Sequence, residues 1–95
     1  MKKTEINFEN NTFTLKGKLT AQSVIGVLTK TKALVPYEQQ LSVNLKEVTH
    51  CDSAGLAYLI EILRESKKKR SIIVFEEVPQ QILDLSRVSG LEHLF

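Results

Sequence analysis

The sequence predicts a single α/β domain: a small, mostly parallel mixed β-sheet of about four strands with α-helices packed on it. Three observations lead there. Short runs with an apolar residue at every second position alternate with longer segments whose apolar residues recur at helical spacing. After an initial hairpin the order is strand–helix–strand twice over, and such crossovers make neighbouring strands parallel and lay helices on the sheet. The 95 residues suffice for one domain and are too few for two, so one domain is expected over residues 1–95.

The elements follow in order. Ile6 and Phe8, then Phe13 and Leu15, alternate with polar residues on either side of Asn10-Asn11, which predicts two short strands around a tight turn. Gly17 is expected to end the second strand, and Thr20 to cap a helix over 21–34. Val24, Val27, Leu28, Leu34 and Val35 give that helix one apolar face, and Pro36 stops it. Leu41, Val43 and Leu45 alternate with Ser42 and Asn44 as a third strand, and Val48 to Cys51 carries the chain to Asp52. A second helix is expected over 53–69, with Leu56, Leu59, Ile60 and Leu63 as its buried stripe. Ser71 to Phe75 is nearly all apolar and reads as a central strand covered on both faces. Pro79 suits the first turn of a third helix reaching about Val88, with Gly90 as its stop. The tail Leu91 to Phe95 is expected to pack its Leu and Phe against the sheet.

Composition excludes several functions. The chain is 42% hydrophobic and 25% charged with a net charge of +2, which argues against long disorder and against nucleic acid as a partner. One cysteine forms no internal disulfide and fits a reducing compartment. No apolar run approaches the length of a membrane span, and Thr4, Glu5, Asn7 and Glu9 interrupt any signal-peptide pattern after Lys2-Lys3. The expected address is therefore the cytoplasm, without direct membrane insertion. One Cys and two His lack any metal-ligand spacing, no phosphate-binding Gly-rich loop is present, and no cofactor is expected.

The most informative segment is His50-Cys51-Asp52-Ser53-Ala54-Gly55-Leu56, which sets a strand end directly before a helix start. Asp52 or Ser53 can accept hydrogen bonds from the free amides of the first turn. Ala54 and Gly55 have almost no side chain, so another backbone can approach closely. Ser53 at the first helical position would turn its hydroxyl outward beside the positive end of the helix dipole, where a phosphate would be stabilised. Read locally, the same residues also make an ordinary helix cap with a Gly for packing. His50, Cys51, Asp52 and Ser53 are catalytic residue types, but adjacency is not a triad, and no enzyme activity is expected. Tyr58 lies near enough to this helix start to touch whatever docks there, although Tyr37 and Tyr58 also suit half-buried packing. Lys67-Lys68-Lys69-Arg70 reads as a solvated helix end that complements the negative dipole terminus, with an anionic membrane surface or acidic partner as the alternative.

With those residues in view, the sequence resembles the STAS domain family over nearly its whole length. Leu41 to Val48 is similar to the family's strand before the loop, although Asn44 stands where Asp is usual; Asp52-Ser53-Ala54-Gly55-Leu56 resembles its D-[ST]-x-G-L signature; and Leu85 to Leu91 with Leu94-Phe95 looks like its closing helix and tail. The resemblance implies a STAS fold and a domain that acts by binding other proteins through Asp52, Ser53, Ala54, Gly55 and Tyr58. Two kinds of member are similar. Ala54 to Ile60 looks more like the STAS subunits of bacterial ABC complexes that move phospholipid to maintain outer-membrane lipid asymmetry. That likeness implies a non-catalytic subunit bound to the cytoplasmic ATPase, with permease and lipid-binding subunits in the complex, held peripheral to the inner membrane. Anti-sigma factor antagonists supply the alternative, in which a partner kinase phosphorylates the Ser after the Asp, here Ser53.

Overall fold

A computed structural model describes residues 4–95. In chain order the elements are β1 (Glu5–Glu9), β2 (Thr12–Leu19), α1 (Ala21–Leu34), β3 (Gln40–Cys51), α2 (Ser53–Lys68), β4 (Ile72–Glu76) and α3 (Gln80–Val88), closed by a 3₁₀ turn over Glu92–Leu94. This is the predicted order, on one four-stranded sheet of order β1-β2-β3-β4. Only β1 runs antiparallel to its neighbour, and β2, β3 and β4 are parallel. Asn10 and Asn11 both adopt positive φ, 52° and 56°, as a tight hairpin turn requires.

Alternation along the strands decides which face is covered. Phe13, Leu15, Leu41, Val43 and Leu45 are buried, with Val24, Leu59, Ile62 and Ile82 from the three helices in the same core. Their neighbours Thr12, Thr14, Ser42 and Asn44 are only partly covered, so the helices pack on one face and leave the other polar. Phe8 lies against Phe13 and Phe95 against Phe75, with ring centroids 4.3 and 4.6 Å apart, which sets Phe95 of the tail on the sheet as expected.

Four expectations are corrected. Gly17 does not end β2; it sits inside the strand at φ 88°, where the register against β3 shifts, and so it bends a strand that continues to Leu19. Residues 48–51 are no mere connection but the end of β3, a single strand of 12 residues. The buried face of α2 is Gly55, Leu56, Tyr58, Leu59, Ile62 and Ser66, while Ile60 and Leu63 are half-buried. Counting only aliphatic residues misses a face that includes a Gly, a Tyr and a Ser. Finally, β4 is an edge strand with Ile72 and Val74 exposed, because periodicity in a five-residue apolar run does not report coverage.

The start of α2 as the candidate functional site

Because β2 and β3 are parallel neighbours, with Leu19 paired to Cys51, they end at one edge of the sheet, and α1 and α2 both begin there. The carboxyl ends of parallel strands are where α/β folds place their sites. Asp52 joins the two helix starts. Its Oδ1 accepts from the Gly55 amide at 2.9 Å, capping α2, and its Oδ2 accepts from the Ala21 amide at 3.2 Å, at the first residue of α1. Its own amide donates to the Leu19 carbonyl at 3.2 Å. Desolvation pushes the Asp52 carboxyl upward, but the amides of Gly55, Ala21 and Ala54 outweigh it and hold the group below its ordinary value of 3.8. One carboxylate thus answers the positive ends of two helix dipoles.

The neighbouring side chains divide into a buried set and an exposed set. Gly55 is buried under β2: a Cβ there would collide with the Leu19 carbonyl and stand 2.9 Å from Cys51 Sγ. The close backbone approach expected of Gly55 is therefore made by this chain's own strand. Tyr58 is 2% exposed and its hydroxyl is 2.8 Å from the buried Thr31 hydroxyl of α1, so it ties the helices together and presents nothing to a partner. Ala54 is half-buried against the core. Ser53 is exposed at the first position of α2, and its hydroxyl makes no hydrogen bond to a described residue. Of the five predicted contact residues, then, Asp52, Ser53 and part of Ala54 form a surface, and Gly55 and Tyr58 support it from below.

The catalytic residue types do not converge. Cys51 is buried, its thiol pushed up to about 11 by burial and by the charge of Asp52, and it stays protonated at neutral pH. Its amide donates to Gln81 Oε1 at 3.2 Å, which fastens α3 to the end of β3. His50 is exposed and shares a hydrogen bond with Thr49 beside it. Among the described residues no three His, Cys, Asp or Glu side chains gather as metal ligands would.

Sequence reasoning missed three residues. Ser23 reaches back in the first turn of α1, accepting from the Thr20 amide at 2.9 Å and donating to the Lys18 carbonyl at 2.7 Å. Its spacing from Thr20 is that of a capping box with Ser in place of Glu or Gln. Thr31, a hydroxyl on an otherwise apolar face, is the partner of Tyr58. Lys69 breaks the expected basic run: it is 9% exposed, and its ammonium donates to the Lys32 and Val35 carbonyls at the end of α1, each at 2.8 Å. Glu65 lies 3.4 Å from it, and the Tyr37 ring, itself exposed rather than half-buried, lies 5.4 Å away. A lysine directly after a helix carries no sequence mark of what it reaches across to.

A one-sided mixed sheet whose second parallel strand ends in an Asp-capped helix and an exposed Ser is the arrangement of a STAS-class α/β domain. The solved anti-sigma factor antagonist SpoIIAA, in its unphosphorylated form, is similar in fold, with a TM-score of 0.72 at 14% identity over 95% of this chain and 83% of that one. A structure described as Mglu is similar at a TM-score of 0.63 and 21% identity, over 83% of this chain and 20% of that longer one. The chain belongs to the STAS family in its MlaB form: the family model described as "Mlab, STAS domain" matches residues 3–95. The "Intermembrane phospholipid transport system binding protein MlaB" of Haemophilus influenzae is 40% identical over 48 residues, 50% of this chain and 46% of that protein. The chain thus aligns with about half the length of that curated relative.

Proposed function

We propose that this chain is a non-catalytic STAS subunit of an ABC-type phospholipid transporter that maintains outer-membrane lipid asymmetry. It docks on the cytoplasmic ATPase subunit through Asp52, Ser53 and Ala54 and supports assembly or activity of the complex. The observation that carries this reading is the match of residues 3–95 to the MlaB family model, joined by the named transport role of the Haemophilus relative. The site is suited to docking. Asp52 is satisfied within the chain, so the surface beside it is preorganised, while the Ser53 hydroxyl is free to bond outward. In this reading the chain is cytoplasmic and is held at the inner membrane by the complex; among the described residues no helix is long and apolar enough to cross a membrane. The likeness to SpoIIAA is one of fold and fits a Ser53 phosphoswitch without favouring it.

Affinity purification of the tagged chain from its native host is expected to recover an ABC ATPase together with permease and lipid-binding subunits. Recovery of a protein kinase and no ABC subunit would contradict the proposal and install the antagonist reading in its place.

A further inference from the structure

The opposite end of the helix pair carries a second surface. The Lys69 bonds to the Lys32 and Val35 carbonyls bring the C-termini of α1 and α2 together. The Glu38 amide donates to the Lys69 carbonyl and the Ile72 amide to the Gln39 carbonyl, both at 2.9 Å, so the 35–39 loop and the start of β4 lie at the same pole. Lys30 and Lys32 near the end of α1, and Lys67, Lys68 and Arg70 around the end of α2, make no ion pair with a described residue. Of the acids there, Glu65 is taken by Lys69, and among the described residues Glu38 and, on the β1–β2 hairpin whose Asn11 bonds Gln39, Glu9 stand against those five cations. Two apolar or aromatic side chains are exposed beside them, Tyr37 at 68% and Leu34 at 36%, while Ile72, 64% exposed, opens β4 on the helix-free face of the sheet.

We propose that this pole binds an anionic phospholipid surface. Charge alone would suit any polyanion, but cations beside an exposed Tyr and Leu suit an interface with phosphates outside and acyl chains beneath. Five Lys and Arg are within the range at which basic clusters hold anionic bilayers. The C-terminal dipole end of α1 is already answered by Lys69, which leaves the outer cations free for an external partner. α2 spans about 24 Å at 1.5 Å per residue, so the pole and the Ser53 end can be occupied at once. The inference rests on the transport reading only in supplying a bilayer beside the chain.

The test is sedimentation of the full chain with phosphatidylcholine vesicles that contain or lack phosphatidylglycerol. Binding is expected to the anionic vesicles alone and to fall with added salt. The Lys67→Gln/Lys68→Gln/Arg70→Gln variant, with its fold checked by circular dichroism, is expected to bind about a hundredfold more weakly, at about fivefold per cation. Tyr37→Ser leaves the charge unchanged and is expected to weaken vesicle binding while leaving any binding of polyglutamate as it was. Equal sedimentation with neutral vesicles, no sedimentation with anionic ones, an unaffected triple variant, or polyglutamate binding as tight as vesicle binding would each overturn the proposal. The triple variant is expected still to co-purify with the ATPase, so failure here is distinct from failure of the docking reading, which Ser53 variants report.

Discussion

The two ends of the α1–α2 pair are held by the same device and differ in what they leave exposed. The helices run side by side in one direction, so their dipoles point the same way. At the N-terminal end the Asp52 carboxylate takes one amide from each helix. At the C-terminal end the Lys69 ammonium crosses from α2 to two carbonyls at the end of α1 and is joined by Glu65. Each side chain offsets the dipole end it faces. Asp52 is exposed and Lys69 is buried. Burial makes the lysine end a structural joint, because a charge out of water is held only while every partner stays in place. Exposure makes the aspartate end a surface, with a preset cap and an exposed Ser53 beside it.

That contrast orders the expected effects of substitution. Lys69→Met should cost the most, about 3 kcal/mol, since it leaves Glu65 and two carbonyls without their cation in a covered site. Urea unfolding measures it, and adding Glu65→Gln should recover part of the loss. A cost under about 0.5 kcal/mol would show the joint to be no more than a surface ion pair. Gly55→Ala should cost about 2 kcal/mol, because the new methyl meets the Leu19 backbone, which cannot swing aside as a side chain does.

Asp52→Ala should cost about 1.5 kcal/mol, the loss of a helix cap that also serves a second helix. Its pH dependence follows from the lowered carboxyl. The stabilisation is fully present above the ordinary value of 3.8 and is lost as the pH falls through the still lower folded value. Asp52→Asn keeps a carbonyl acceptor and does not titrate, so its urea midpoint should approach that of the wild type as the medium is acidified below that range. A gap that stays constant with pH would place the effect of Asp52 elsewhere than in its charge.

The same two ends show what was legible in the sequence. The N-terminal end was largely readable, because capping is local: Thr20 and Asp52 directly precede the helices they cap, and the apolar runs around them have clear periods. α1 begins and ends where its capping residue and Pro36 predict. Its link to the neighbouring helix was not readable, since Asp52 and Ala21 lie 31 residues apart. Nor was the fate of Gly55 and Tyr58. Their spacing marks them as near Ser53, but only the fold shows that β2 fills the space over the glycine and that Thr31 takes the tyrosine hydroxyl. The lysine end was misread for the same reason, as its partners are supplied by residues 34 and 37 positions away. At β4 the apolar run was recognised as a strand, while its place at the sheet edge depends on strand order, which no local pattern carries.

The start of α2 is proposed as a surface for a partner, with Ser53 as its contact and the residues beneath it as support. The most direct test compares Ser53→Arg with the wild-type chain for binding to the purified ATPase subunit, with urea unfolding run in parallel. Stability is expected to stay within about 0.5 kcal/mol, as for a surface position, while binding falls at least tenfold. Undiminished binding by a folded Ser53→Arg chain would contradict it.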